Sequence, residues 1–232
     1  MEKKINIAID GYSSSGKSSL ARAISKEFKM KYIDTGAMYR AITYLLLKNS
    51  IDSSNFVESE KKVDELINNC KIEYNYNFKK NISETILNGA ICDEHIRKNY
   101  VSEFVSIVSK SKKVRDFMIA KQKKIASNKN VVMDGRDIGT IVFPEAECKF
   151  FLVANVEVRA KRRYFEQQSK DNKETYEKVL KSLIKRDKLD TDRISSPLRE
   201  AKGAFKIDVS DLTLDEVYDK MLSYIKKKLN KH

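Results

Sequence analysis

Proline is almost absent from this chain, glycine is scarce, and no apolar run is long enough to cross a bilayer. Two Pro and seven Gly in 232 residues exclude a collagen-like chain or a Pro/Gly-rich disordered one. The hydrophobic stretches all fall short of the roughly 20 residues a membrane-spanning helix needs. The start, Met1-Glu2-Lys3-Lys4-Ile5, runs into a strand pattern without the apolar core of a signal peptide, so a cytoplasmic location is expected. Histidine is limited to His95 and His232, and the cysteines to Cys70, Cys92 and Cys148. None has metal-ligand spacing. The thiols are expected to be free and to act as small buried apolar groups, and His95 is expected at the surface.

What is present suits one α/β domain with a proper core. Hydrophobic residues make up 41% and charged residues 34%, which excludes a disordered chain and a coiled coil. The net charge of +13 has two readings. A basic surface can bind nucleic acid phosphates or draw in polyanionic nucleotides, and many of the lysines simply make solvated helix faces. Lys226, Lys227 and Lys228 suit the negative end of a helix dipole.

Short β-branched runs alternate with amphipathic stretches, which predicts a parallel sheet covered by helices. Strands are expected at 5–9, 31–33, 131–133, 149–153 and 205–208, and helices at 17–28, 37–48, 156–168, 174–189 and 214–229. One stretch, 70–97, breaks this rhythm. Lys71-Ile72-Glu73-Tyr74-Asn75-Tyr76 alternates with period two, and Glu84-Thr85-Ile86-Leu87 ends in the turn signal Asn88-Gly89. It reads as a small antiparallel insert, either a substrate flap or decoration.

The strongest motif is Gly11-Tyr12-Ser13-Ser14-Ser15-Gly16-Lys17-Ser18, a G-x-x-x-x-G-K-[ST] phosphate loop between a predicted strand and a predicted helix. Gly11 and Gly16 let the backbone curl so that successive N–H groups face a phosphate. The helix N-terminus adds its positive end. Lys17 supplies a mobile charge, and the Ser18 hydroxyl can ligate Mg²⁺. Two other strand ends carry polar groups, Asp34-Thr35-Gly36 with Tyr39 and Arg40, and Asp134-Gly135-Arg136-Asp137. In open α/β sheets ligands bind beyond these carboxyl ends, so the three clusters should converge. Helix capping by Asp34 or Thr35 is the plain alternative. Arg159, Arg162 and Arg163 share one predicted helix face. Arg186, Asp190 and Arg193 do the same if their helix runs through Asp192, beside a stripe of Tyr176, Val179, Leu180, Leu183 and Ile184. These are either surface pairs of small worth or the cations a transferring phosphoryl group requires.

Taken together, residues 9–18, 34–40, 134–144 and 186–193 resemble bacterial cytidylate kinases over nearly the whole chain. That resemblance implies a P-loop NTPase fold with a five-stranded parallel sheet flanked by helices. It also implies a small antiparallel monophosphate-binding insert at about 61–99 and a short helical lid at about 158–174. The rest, about 1–60 and 100–232, would be the core of a single kinase domain acting as a monomer. The implied activity is phosphoryl transfer from Mg-ATP to CMP or dCMP. Gly11, Tyr12, Ser13, Ser14, Ser15, Gly16, Lys17, Ser18 and Ser19 would bind ATP, with Ser18 on Mg²⁺ and Asp134 behind it through water. Arg40, Arg136 and Arg193 would clamp the CMP phosphate, with Tyr39 beside them. Thr35, Arg186 and Asp190 would contact the sugar, and Ser106, Arg115 and Asp137 would read the base. Lys17, Arg159, Arg163 and Arg186 would act on the transferring group. Thr35 stands where the family often has Ser, which keeps the hydroxyl and adds a methyl. Ser106 and Arg115 lie nine residues apart and so on opposite sides of a continuous helix at about 100° per residue. Both can face one base only if the helix breaks, with Ser109-Lys110-Ser111 the natural place. Two rivals remain: a kinase of another small acceptor, and a P-loop NTPase that binds RNA. No aromatic–basic recognition motif supports the second, so nucleic acid is not an expected partner.

Overall fold

The computed structural model describes residues 4–77, 82–169 and 174–230. In chain order the first elements are β1 (Asn6–Gly11), α1 (Lys17–Glu27), β2 (Lys31–Asp34), α2 (Thr35–Lys48) and α3 (Glu60–Asn69). A small unit of β3 (Ile72–Asn77), β4 (Ile82–Leu87), β5 (Ala90–Ile91) and α4 (Asp93–Ile96) follows. After α5 (Asn99–Val108) and α6 (Lys112–Ala126) the chain re-enters the sheet as β6 (Val131–Gly135), makes a π-helical turn (Ile138–Val142), and continues as β7 (Cys148–Val153). It ends with α7 (Val156–Gln168), α8 (Tyr176–Asp192), β8 (Phe205–Asp208) and α9 (Leu214–Asn230).

Five strands form a parallel sheet in the order β2-β6-β1-β7-β8. β1 is buried along its whole length, as expected of a central strand covered on both faces. Its side chains alternate between two cores. Ala8, with Ile33, Val131 and Met133, faces the core built with α2, α3, α5 and α6. Ile7 and Ile9, with Val132, Phe150 and Leu152, face the core built with α1 and α9. The three cysteines are free and buried, and burial pushes each thiol up to about 11. His95 is exposed and stacks on Tyr44 at 5.1 Å.

The insert is antiparallel, with β4 central. Asn88 (φ 50°) and Gly89 (φ 83°) join β4 to β5, the two positive φ values that a tight right-twisting hairpin turn demands. The insert leans on the outer edge of β2. Ser83 Oγ donates to the Tyr32 carbonyl at 2.6 Å and Tyr74 Oη to the Asp34 carbonyl at 2.5 Å. Two side chains thus occupy carbonyls of the sheet's open edge, where an unpaired strand would otherwise invite another.

Four helices, α3 to α6, lie outside the helix ranges expected from the sequence. Val63 and Ile67 seat α3 in the main core, so the antiparallel piece proper spans 72–91. In α5 the residues Val101, Phe104, Val105 and Val108 are buried at helical spacing. Their β-branched and aromatic character favours strand by propensity, and burial outweighs it. Together α7 and α8 form a hairpin with its own small core of Ala160, Val179 and Leu183. The expected stripe stops at Leu183, because Ile184 is 50% exposed.

Candidate active site

At the carboxyl ends of β1, β2 and β6 lies a cavity of about 860 Å³. The loop after β1 forms one wall. Gly11 has φ 147°, Ser14 φ 59° and Gly16 φ 87°, the curled backbone that turns consecutive N–H groups inward. A Cβ on Gly11 would stand 2.2 Å from the Leu152 carbonyl oxygen of neighbouring β7, so only glycine lets the loop leave the sheet there. Gly16 precedes the first turn of α1, whose N–H groups aim at the loop's hollow. Lys17 is buried and donates to the Tyr12 carbonyl and to Ser15 Oγ. Burial, then the nearby Arg136, holds its amine well below the usual lysine range.

Ser18 Oγ donates to Asp134 Oδ2 at 2.8 Å, and Tyr32 Oη to Asp134 Oδ1 at 2.8 Å. Burial, then the Asp34 charge, raises the Asp134 carboxyl. Asp34, the N-cap of α2, accepts from the Ala37 N–H at 2.9 Å and from Arg40 at 3.0 Å. Burial opposes its charge, but Arg40, the Ala37 N–H and Arg97 together outweigh burial, so its carboxyl falls below the ordinary range. Capping and site chemistry coincide in that one residue. Thr35 Oγ1 donates to the Asp134 carbonyl at 2.7 Å, tying the start of α2 to β6.

The far wall gathers residues distant in sequence. α5 ends at Val108, Ser111 caps α6, and the chain breaks between them. That break brings Ser106 and Arg115 to the same cavity. Arg115 is 1% exposed, lies over the Tyr39 ring at 5.5 Å and forms an ion pair with Asp137. Arg193 stands 3.8 Å from Asp137 and 3.6 Å from Asp190, so it borders the Arg115–Asp137 pair. Arg136 Nε donates to Asp190 at 2.7 Å. Burial opposes ionisation of Asp190, but Arg136, Arg186 and Arg193 outweigh it and lower its pKa. Arg186 has no hydrogen bond or ion pair among the described residues, and burial, then Arg136, lowers it to about 10.

The lid arginines divide. Arg163 lines the cavity. Arg159 is buried beside it, held by Asp187 at 2.6 Å and by the Ser13 carbonyl at 3.2 Å, with its guanidinium over the Tyr12 ring. Arg162 turns away and donates to the Val209 carbonyl at 2.7 Å, so the face read from spacing is shared by two arginines. Gly11 and Tyr12 shape the loop without lining the cavity, while Ser13 to Ser19 line it. The sequence reading missed Arg97, just past α4, and Asn99 and Ser102 on α5, all of which line it. Ser102 sits one turn before Ser106 on the same face, the one signal that could have found it. It also passed over Asp187 and Asp10.

Lys17 and eight arginines line this cavity against five carboxylates, a balance suited to several phosphates at once. A phosphate loop on a parallel sheet, facing an arginine-rich wall under a helical hairpin, defines a P-loop phosphotransferase. Residues 7–227 match the model of the cytidylate kinase family. A cytidylate kinase of Bacillus subtilis is 44% identical over 98% of this chain and 99% of its own. One from Bacillus cytotoxicus is 42% identical over 100% of both chains, and one from Flavobacterium johnsoniae 43% over 96% of both. The chain belongs to the cytidylate kinase family and is a kinase. A solved structure of an uncharacterized protein from Eubacterium ventriosum shares the fold, with TM-score 0.52 at 13% identity over 97% of this chain and 99% of that one. Among the described residues no helix is long and apolar enough to cross a membrane.

Proposed function

We infer that this cavity carries out the family's reaction by passing the γ-phosphoryl group of ATP in line to the phosphate of CMP or dCMP, giving ADP and CDP or dCDP. The attacking phosphate oxygen is already anionic, so the site supplies position and charge rather than a strong base. Loop residues 11–19 hold the ATP phosphates, with Lys17 following the charge into the transition state. Ser18 and Asp134 are hard oxygen donors beside the loop and fit Mg²⁺. Among the described residues no cluster of three or more His, Cys, Asp or Glu converges, which fits an ion held chiefly by the nucleotide. When bound, Mg²⁺ would neutralise phosphate charge. Arg40 and Arg136 clamp the acceptor phosphate. Arg186, Arg163 and Arg159 serve the transferring group, Arg159 after leaving Asp187.

The base is read where Asp137, Arg115 and Ser106 meet. Cytosine offers an amino donor beside two acceptors, which suit the Asp137 carboxylate with Ser106 and the Arg115 guanidinium respectively. Uracil would set an oxygen against Asp137 and an N–H against Arg115. Arg193, bordering this pair, belongs with the base and sugar side, with Asp190 and Thr35, more than with the phosphate clamp. The observation that carries the assignment is the buried Arg115–Asp137 pair inside the cavity that holds the phosphate loop. A coupled assay with ATP and CMP, dCMP, UMP and AMP tests it. Cytosine nucleotides should lead by at least about 100-fold in kcat/KM. Equal use of UMP would overturn the base assignment.

A further inference from the structure

Asp10 is the penultimate residue of the central strand and is 2% exposed. In the ladder it is the partner of Gly135, where β6 leaves the sheet. Its carboxylate turns to the chain just beyond. Oδ1 accepts the Ile138 N–H at 2.8 Å and Oδ2 the Gly139 N–H at 2.7 Å. Between Gly135 and Ile138 lie only Arg136 and Asp137. Asp10 therefore pins the far end of the two-residue span that carries an acceptor-phosphate arginine and the base-reading carboxylate, while its strand runs in register beside the near end. The π-helical turn that follows is an uncommon geometry, found mostly where function requires it, and it begins on Asp10's two bonds. Close packing keeps the arrangement tight. A Cβ on Gly139 would lie 3.1 Å from Ala201 Cβ, 3.3 Å from Lys149 Cδ and 3.4 Å from Asp10 Oδ2.

We propose that Asp10 is a positioning residue for acceptor specificity, holding the Arg136-Asp137 span in register with the phosphate loop that Asp10 itself precedes. It touches no substrate. It sets the angle from which Asp137 meets the base and Arg136 the phosphate. The proposal rests on the reading of Asp137 given above.

The test compares Asp10→Asn, Gly139→Ala and Asp137→Asn in the same assay with CMP, UMP and ATP. Asparagine keeps the size of Asp10 but sets an N–H against one of the two backbone donors. That conflict should release the span and raise KM for CMP about tenfold. The CMP:UMP ratio of kcat/KM should narrow by a similar factor, while KM for ATP moves less than about twofold. Gly139→Ala crowds Ala201 Cβ at 3.1 Å, which should shift the Gly139 N–H off Asp10 without touching the charge and change the same constants in the same direction. It also supplies the answer if Asp10→Asn does not fold. A lowered Tm with CMP constants and ratio unchanged would make Asp10 purely structural, and a change in ATP constants alone would assign it to Lys17. Either result overturns the proposal. If Asp137→Asn leaves the ratio unchanged, it is the base reading that fails. If Asp137→Asn narrows the ratio and both other variants do not, Asp10 alone is refuted.

Discussion

The two walls of the cavity are built in opposite ways. The phosphate loop is nine consecutive residues whose working parts are backbone N–H groups, one lysine and one hydroxyl. The acceptor wall draws on residues around 35–40, 97–115, 136–137 and 186–193, and its working parts are side chains held by one another. Local dihedral preference suffices for the first. The second exists only once α2, α5, α6 and α8 have packed. Damage to the loop should therefore be chemical and local, whereas damage to the acceptor wall should spread to stability and specificity together.

Lys17→Ala gives the largest expected effect. It should lower kcat by about 10³–10⁵-fold, the range found for cations acting on a transferring phosphoryl group. Thermal unfolding should stay close to wild type, since the lost bonds to the Tyr12 carbonyl and Ser15 are offset by removing a buried amine whose charge burial opposes. A folded Lys17→Ala protein with near-normal turnover would take the phosphate loop's lysine out of the chemistry. Asp137→Ala comes next and should act on both counts. It leaves Arg115 buried without its carboxylate, a loss of about 3–5 kcal/mol in stability, and it should reduce turnover of CMP far more than of UMP. Chemical denaturation and paired acceptor assays separate the two effects. Equal slowing of both acceptors would deny Asp137 its base contact.

Asp10 joins the two walls and gives a pH signature. Burial raises its carboxyl from 3.8 to about 7, with the Gly139 and Ile138 N–H groups only partly offsetting it. Between about pH 4 and 7 the folded protein thus holds a proton that the unfolded chain has released. Stability should fall as pH rises through that window, by up to about 4 kcal/mol from this group. Subtracting the curve of Asp10→Asn from that of wild type should isolate the slope. A flat difference means Asp10 stays ionised throughout. The smallest effect is expected at the insert. Tyr74→Phe removes one hydrogen bond to the Asp34 carbonyl and should cost about 1 kcal/mol. It should also speed hydrogen exchange in 72–91 while leaving the loop at 11–19 unchanged. Faster exchange in both would mean that the walls are coupled through β2.

Much of this was legible beforehand, unevenly. All five sheet strands could be read because buried parallel strands are short apolar runs bounded by polar ends. The Asn88-Gly89 turn was read because few dipeptides accept two positive φ values. The break between Ser106 and Arg115 could be deduced as a condition, that one base cannot be reached from opposite sides of a helix. Its realisation by the Ser111 cap needed the fold. Helices α3 and α5 were missed because their burial comes from α2 and α6, which no local window contains. The grouping of Arg162 with Arg159 and Arg163 failed because spacing defines a face, whereas the Val209 carbonyl decides where a long side chain ends.

By itself, the sequence determined the sheet, the order of its main helices and the phosphate loop, because those depend on periodicity and on the conformations glycine permits within a few residues. Only the tertiary structure decided that Arg193 neighbours Asp137, that Arg159 rests on Asp187, and that Asp10 holds the chain beyond Gly135. Each of these joins side chains or backbone groups brought together by packing, and such partners are chosen by burial and charge at a distance that no spacing along the chain encodes.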